Sequence, residues 1–147
     1  MNRLEIKEGT INDVVSLSQL IPEFQDPHGI KIYQERLSNV PYLVLMAYFD
    51  GAPAGFKVGY QREDNGSFYS WMGAVHPDYR KLGIARKLAD YQENWARRMG
   101  YQTIKMKTRN RLKPMLLFAL SNGFNIVAVE RKEDIREHRI ILEKSLH

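Results

Sequence analysis

A glycine-containing segment near the middle of the chain has the residue types and spacing of a phosphate-binding loop. A predicted strand ends at Val75, Pro77 stops it, and a long amphipathic helix begins around Gly83. The first N–H groups of a helix have no internal partner, and the helix dipole adds about half a positive charge there. The small residues Gly83 and Ala85 let an anion approach those amides. The segment therefore predicts a backbone site for a pyrophosphate, surrounded by the basic residues Arg80, Lys81, Arg86 and Lys87.

The basic residues of the chain are concentrated around this segment. Residues 80–113 hold 11 Lys/Arg and 2 Asp/Glu, a net charge of +9. Residues 1–79 hold 6 and 10, giving −4, and residues 114–147 hold 5 of each. A run of charge is often a solvated helix face. Because this one coincides with a phosphate-binding segment, it favours an anionic ligand.

The segment resembles motif A of the GNAT acetyltransferases, Gln/Arg-x-x-Gly-x-Gly/Ala. It has the sequence Arg80-Lys81-Leu82-Gly83-Ile84-Ala85 after Val75-His76-Pro77, and Gly123-Phe124 is similar to a second feature of the family. The resemblance implies a transferase that moves an acetyl group from acetyl-CoA to a primary amine. The positions that it implies for acetyl-CoA binding are Ala74, Val75, Arg80, Lys81, Leu82, Gly83, Ile84, Ala85, Arg86 and Asn110.

The resemblance also implies a course for the reaction. Pantetheine would lie where the strand that carries Val75 diverges from the next strand near Ile104, and amides of residues 73–75 would polarise the thioester carbonyl. The amine would attack directly, without an acyl-enzyme, which agrees with the absence of cysteine.

The general acid of the family is missing from its usual position. Many members have a tyrosine four residues before the Gly-Phe pair, where it protonates the leaving thiolate. Here that position is Ala119, next to Phe118, and neither side chain can donate a proton. A water, Ser121 or a tyrosine from elsewhere would serve, or the thiolate leaves unassisted.

Spacing does not identify the base that takes the proton of the attacking amine. Glu23, Asp26 and His28 lie between the first two predicted helices, in a loop that borders the acceptor in the family. Tyr69 lies on the strand that faces the acceptor. These four residues stay alternatives, and residues of these types are more often caps, turn residues or surface residues.

The negative charge of the first 79 residues predicts the charge of the acceptor. Acidic side chains in predicted loops would attract a cationic amine if they converged on the cleft, such as a polyamine, an aminoglycoside-like amine or a basic peptide N-terminus. The alternative is ordinary solubilising charge, and the identity of the amine stays open. The residues concerned are Glu23, Asp26, Glu63, Asp64 and Asp78.

The elements that must position these residues follow the order β-α-α-β-β-β-α-β-α-β-β. Alternation and helical spacing predict one α+β domain over residues 1–147, a mixed twisted sheet of about six to seven strands flanked by about four helices. Thr10 and Asp13 resemble a capping box that opens the first helix, which ends near Pro22. The other predicted helices are Ile30–Leu37, 83–100 and Met115–Asn122, and the strands lie near Leu4–Ile6, Tyr42–Asp50, Ala54–Gln61, Ser67–Val75, Thr103–Lys107, Phe124–Val129 and Arg139–Leu142.

Composition is typical of a globular protein, and we expect it in the cytoplasm. Apolar residues make up 44% of the chain, yet no apolar run approaches the roughly 18 residues that cross a bilayer. The first residues lack the apolar segment of a signal peptide. Four scattered histidines and no cysteine predict no metal site. The expected partner is a small-molecule or peptide amine, with no membrane and no nucleic acid; a homodimer stays open.

A second class of function stays open beside the enzyme. The same fold could serve as a non-catalytic acyl-CoA-sensing or basic nucleic-acid-binding module. The basic stretch and the missing tyrosine favour that alternative, whereas the lack of a helix-turn-helix or RNA-binding motif counts against it. Release of CoA thiol from acetyl-CoA and an amine distinguishes the two.

Overall fold

The computed structural model describes residues 3–24 and 27–147. Alternating apolar residues form strands in this part of the chain, because alternation places every second side chain on one face of a sheet. The strands are β1 (Leu4–Glu8), β2 (Tyr42–Phe49), β3 (Ala52–Tyr60), β4 (Ser67–Val75), β5 (Thr103–Arg109), β6 (Asn125–Glu130) and β7 (Arg139–Ser145). The last strand runs past its predicted end because it pairs with β5 from Arg109 back to Thr103.

Four helices occur in the described residues, in the predicted order: α1 (Ile11–Ser18), α2 (Ile30–Leu37), α3 (Ile84–Arg98) and α4 (Lys113–Ser121). The predicted capping box opens α1. The Asp13 amide donates to the Thr10 hydroxyl, and the Thr10 amide donates to the Asp13 carboxylate. The helix ends at Ser18, before its predicted end near Pro22, and the amides of Leu20 and Ile21 then bond three residues back.

The strands form one seven-stranded sheet in the order β1-β2-β3-β4-β5-β7-β6. Neighbouring strands are antiparallel except β4 and β5, which are parallel and are connected by α3. The predicted α+β domain with a mixed sheet and four helices is confirmed. None of the helices in the described ranges is long and apolar enough to cross a membrane.

Helices cover both faces of the sheet. On one face, which we call the α3 face, Leu88 of α3 and Ala119 of α4 belong to a core with Phe68. On the other, which we call the α1 face, Val14 of α1 and Tyr33 of α2 pack with side chains of β2 and β3. Any opening in the sheet between these layers connects two separate surfaces of the protein.

Two glycines of β3 bring α3 close to the sheet. A Cβ on Gly55 would lie 3.2 Å from Ile84 and 3.3 Å from Leu88, and a Cβ on Gly59 would lie 2.6 Å from the Gln92 amide nitrogen. Larger residues would therefore push the helix outward. This close packing holds the N-terminus of α3 against the sheet, next to the end of β4.

Candidate active site

The strands β4 and β5 separate partway along their length. Their parallel pairing joins only Ser67–Ser70 to Thr103–Met106. In the described part of the chain, Met72–Val75 pairs with β3 alone, whereas β5 stays paired with β7 up to Arg109. The divergence begins past Met106 rather than at the predicted Ile104. One edge of β4 therefore offers its backbone groups to a ligand.

The opening between these strands is a cleft of about 640 Å³. It reaches both faces of the sheet, since Ala85 of α3 lines it on one side and His28, just before α2, on the other. β4 contains a β-bulge beside the opening. Val58 pairs with Met72 and Gly59 pairs with Ser70, so Trp71 has no partner on β3. A ligand on the α3 face can thus meet a second ligand on the α1 face.

The N-terminus of α3 adjoins the cleft and has the form of a phosphate cradle. The backbone is left-handed at Lys81 (φ 65°) and at Gly83 (φ 79°), the residue before the helix. No side chain caps the helix, so its first amides lack an intrahelical partner. A Cβ on Gly83 would meet nothing within 4 Å. The open space beside a positive helix end fits a phosphate group.

A lysine lies inside the cleft on the α3 face. The Lys57 Nζ of β3 would lie 3.6 Å from a Cβ on Gly73 of β4. Burial lowers the pKa of Lys57 to about 8, and the Glu93 carboxylate opposes that effect. Glu93 itself pairs with Lys144, at 2.8 Å between Oε1 and Nζ. Lys57 is therefore mostly protonated at neutral pH, and the Glu93 carboxylate that acts on it is shared with Lys144.

Three buried polar atoms that line the cleft have no hydrogen-bond partner among the described residues. They are Gln92 Nε2 of α3, Thr108 Oγ1 of β5 and Asn122 Oδ1 just after α4. Buried polar atoms are normally paired. A donor, a hydroxyl and an acceptor on three elements around the cleft fit a ligand with amide groups along its length.

Aromatic rings form the wall of the cleft on the α1 face. The Trp71 ring stacks on His28 with centroids 5.7 Å apart, and it lies 5.1 Å from Tyr33 and 5.6 Å from Tyr60. Tyr69 lies next to it on β4, and burial raises the pKa of its phenol. The phenol therefore stays protonated at neutral pH, and the His28 ring is held at the mouth of the cleft by its stacking on Trp71.

The comparison with known proteins agrees with this geometry. Residues 11–124 match the family of acetyltransferases described as GNAT. The chain belongs to this family. No curated protein matches it.

Solved structures have the same GNAT fold. The ribosomal-protein-S18-alanine N-acetyltransferase of Escherichia coli is 22% identical, with a TM-score of 0.81 over 99% of this chain and 94% of that one. A GNAT-family acetyltransferase of Desulfovibrio desulfuricans is 18% identical, with a TM-score of 0.83 over 99% and 100%. The PaiA N-acetyltransferase of Thermoplasma acidophilum, solved with coenzyme A, is 17% identical, with a TM-score of 0.73 over 97% and 99%. At these identities the likeness establishes the fold.

Arg80, which precedes the cradle, is bound by Glu23 in this GNAT domain. Both Arg80 terminal nitrogens donate to the Glu23 carboxylate at 2.8 Å, and Arg80 Nε donates to the Val75 carbonyl at 3.1 Å. The hydrogen bond from Arg80 lowers the pKa of Glu23. The pair ties the loop after α1 to the end of β4, a contact between residues 57 positions apart.

The other predicted positions lie partly in the cleft. Ala74, Val75 and Ala85 line it, together with Phe118 and Ala119. Ile84 is buried in the core and Leu82 is exposed, so these two offer backbone groups to a ligand. Arg86 lies 3.4 Å from Asp90, and the Asn110 side chain bonds to the Ile135 carbonyl and to Lys113, away from the cleft. The Ser121 hydroxyl donates to the Phe118 carbonyl, also outside the cleft.

The predicted acidic mouth is wrong for the residues that the structure describes. Glu23 is bound by Arg80, Glu63 lies 3.9 Å from Lys105, and Asp78 lies 3.9 Å from His76. None of these three lines the cleft, nor does Asp64, and Asp26 lies outside the described residues. The loops carry the charges that the sequence indicates, but Glu23 and Glu63 lie beside Arg80 and Lys105 rather than in the cleft wall.

The cleft is instead lined by basic residues that the sequence reasoning missed: Arg36, Arg62, Lys107, Arg109 and Arg139. A signal for them exists in β5, where Lys105, Lys107 and Arg109 alternate with Met106 and Thr108. Alternation places all three on one face of the strand. The sequence does not say whether this face of β5 lines the cleft. Only the pairing of β5 with its neighbouring strands decides that.

Proposed function

We propose that this protein is an N-acetyltransferase that uses acetyl-CoA as donor and a primary amine as acceptor. The observation that supports this most directly is the cleft between β4 and β5, which adjoins the uncapped N-terminus of α3 and opens onto both faces of the sheet. Two substrates can enter such a cleft from opposite sides and meet within it.

The residues present fit acetyl-CoA. The amides at the start of α3, beside the open space at Gly83, would hold the pyrophosphate. The β5-facing edge of Trp71–Val75 and the unpaired polar atoms of Gln92 and Asn122 would hold the pantetheine arm. When bound, acetyl-CoA supplies an activated acetyl group. Lys81 and Lys87 add positive charge near the cradle, whereas the charge of Arg80 is compensated by Glu23.

We assign the role of general base to His28. Glu23 is committed to a bidentate ion pair with a lowered pKa, and the Tyr69 phenol has a raised pKa and stays protonated. His28 lines the acceptor side of the cleft and is held there against Trp71. An unprotonated imidazole nitrogen can accept a proton from an amine that lies within hydrogen-bond distance. It takes the proton of the amine as the new N–C bond forms.

We assign the proton for the leaving thiolate to Lys57. The position that carries the acid in many relatives is Ala119 beside Phe118 here, and both side chains lack a proton to give. Lys57 lines the cleft on the α3 face, and burial lowers its pKa toward neutrality. Its ammonium gives up one proton as the C–S bond breaks, and solvent restores it. The backbone amides near Gly73, which pairs with Lys57 from the neighbouring strand β4, can donate hydrogen bonds to the carbonyl oxygen.

The experiment measures donor binding and turnover separately. Calorimetry with acetyl-CoA is followed by detection of free CoA thiol with a panel of primary amines. His28→Gln should lower kcat/KM by about 10² to 10⁴ and leave acetyl-CoA affinity unchanged. His147→Gln, an exposed histidine at the other end of the chain, is the matched control and should keep full activity.

Each other outcome has a definite meaning. Failure to bind acetyl-CoA overturns the proposal. Binding of acetyl-CoA without turnover of any amine supports the alternative of a non-catalytic sensor. Full activity of His28→Gln removes His28 from the mechanism and leaves the transferase itself in place.

A further inference from the structure

Basic side chains converge on the α1-face mouth of the cleft. They come from α2, from the chain after β3, and from β5 and β7: Arg36, Arg62, Lys107, Arg109 and Arg139. Among the described residues, Glu93 is the one acidic side chain that lines the cleft, and it lies on α3 and pairs with Lys144. The mouth opposite α3 therefore carries positive charge with no acidic residue beside it in the cleft wall.

This row of cations includes a like-charge pair across two strands, in which Arg109 also contacts Glu137. Lys105 pairs with Tyr69 in the parallel ladder, so the alternating residues Lys105, Lys107 and Arg109 face the α1 side together with Tyr69. Arg139 lies directly opposite Arg109 in the β5–β7 ladder. Like charges in directly opposed positions destabilise a sheet. The arrangement is therefore one that a binding role explains better than packing does.

Three of the cations have no close carboxylate partner among the described residues. No carboxylate of the described residues lies within 4.0 Å of Arg62 or Lys107, and Arg139 reaches Glu130 only at 4.0 Å. Burial lowers the pKa of Lys107, and Arg62 and Arg139 act in the same direction, whereas Glu130 and Glu63 oppose the shift without cancelling it. A bound anion would reduce the electrostatic repulsion between these three groups.

Aromatic rings hold two of the guanidinium groups in place. The Arg62 guanidinium lies 5.2 Å from the Tyr69 ring centroid, and the Arg36 guanidinium lies 5.3 Å from that of Trp71. Tyr60 meets both rings at nearly right angles, at 5.6 Å. A side chain that is already ordered loses less entropy on binding. Planar guanidinium forks match the two oxygens of a carboxylate.

The space available limits the size of the anion. The cleft of about 640 Å³ must also admit the arm of the donor if the proposed function holds. The anionic group and the amine that reacts at His28 therefore belong to the same small molecule or to one terminal residue.

Building on the proposed function, we infer that the acceptor is a primary amine that carries a carboxylate, and that Arg62, Lys107 and Arg139 bind this carboxylate. This reverses the preference for a cationic amine that the charge of the N-terminal residues predicts. The shared chemistry, an amine beside a carboxylate, can come from a free amino acid or from an acidic residue at a peptide N-terminus.

The experiment compares amines that differ only in charge. L-Amino acids are compared with their α-carboxamides, and dipeptide amides that begin with glutamate are compared with those that begin with glutamine. Turnover of spermidine completes the set. We expect kcat/KM at least about tenfold higher for the carboxylate of one pair, since hydrogen bonds to charged groups contribute about 1.5–3 kcal/mol. A difference between amino acids and their carboxamides indicates a free amino acid as acceptor. A difference between the glutamate and glutamine dipeptide amides indicates an acidic residue at a peptide N-terminus.

Charge-removing variants assign the effect to these residues. Arg62→Gln and Arg139→Gln should each raise KM for the carboxylate about tenfold or more, and leave KM for the amide and the affinity for acetyl-CoA unchanged. Arg98→Gln, at the far end of α3 and outside the cleft, is the matched control. Calorimetry of the acetylated amino acid and its amide, with CoA present, gives a second reading that does not depend on turnover.

The results separate this inference from the proposed function. Equal kcat/KM for carboxylate and amide, or spermidine as the best acceptor, overturns the inference while the transferase stands. A loss of acetyl-CoA affinity in Arg62→Gln or Arg139→Gln assigns these cations to the donor and also overturns it. No acetyl-CoA binding by the wild type overturns both.

Discussion

Lys57→Met should make the protein more stable and less active. Lys57 is a half-buried residue in the cleft on the α3 face, and Glu93, whose carboxylate acts on it, also pairs with Lys144. Methionine has a similar length and no charge, so it removes the cost of desolvating the ammonium. Glu93 keeps Lys144 as a partner, at 2.8 Å, and is not left unpaired by the substitution.

The size of the effect follows from the pKa. Burial lowers the pKa of Lys57 from 10.5 to about 8, and at about 1.36 kcal/mol per unit the charged form costs about 3 kcal/mol at neutral pH. The folded protein loses this proton before the unfolded chain does. Between about pH 8 and 10.5 the unfolded chain therefore binds more protons, and the free energy of unfolding rises with pH.

The assay is urea unfolding at several pH values. From about pH 7 to pH 9.5 the free energy of unfolding of the wild type should rise by about 2 kcal/mol, whereas that of Lys57→Met should not show this rise. The upper limit matters because burial raises the pKa of Tyr33 to about 12. Tyr33 ionises first in the unfolded chain, at about pH 10. Above that pH it makes the free energy of unfolding fall with pH. Lys31→Met, at an exposed position of α2, should follow the wild-type curve.

Turnover provides the second measurement. If Lys57 protonates the leaving thiolate, Lys57→Met should lower kcat by about 10² or more at a pH where it is the more stable protein. Parallel stability curves for wild type and Lys57→Met would refute the claim of a buried charge. Unchanged kcat would refute its role as the acid.

The remaining predictions test the cradle and the packing that holds it. Gly83→Glu should abolish acetyl-CoA binding in calorimetry and leave the circular dichroism spectrum unchanged, since a Cβ there meets no atom within 4 Å. The left-handed φ of 79° should lower its free energy of unfolding by about 1–2 kcal/mol; retained affinity would exclude the phosphate site. Gly59→Ala should lower the free energy of unfolding by about 1–3 kcal/mol, because its Cβ would lie 2.6 Å from Gln92 Nε2, and an unchanged urea midpoint would contradict the close packing of α3. Thr10→Ala removes the cap of α1 and should cost about 1 kcal/mol; a change below about 0.3 kcal/mol would show that the capping box contributes little.

Local sequence was sufficient for the elements and for the cradle. Thr10 and Asp13 form their capping box three residues apart, and Gly83 opens α3 where the motif predicts a helix N-terminus. Alternation and helical spacing also gave the order of strands and helices, because these signals depend on neighbours within a few residues. The predicted ends of the elements were less accurate, as for α1, which ends at Ser18 rather than near Pro22. The last turn of a helix depends on what it packs against.

Tertiary structure decided the charge of the cleft, the state of Lys57 and the partner of Arg80. Net charge summed along a segment does not say which way each side chain points, so the acidic residues Glu63 and Asp78 do not line the cleft as their sequence position predicts. The register of β5 against β4 and β7 brings Lys107 and Arg139 to the opening from strands that are far apart in sequence. Local patterns determine which elements form, whereas the pKa of a group and the ligand that it meets depend on contacts across the sheet, which only the packed chain establishes.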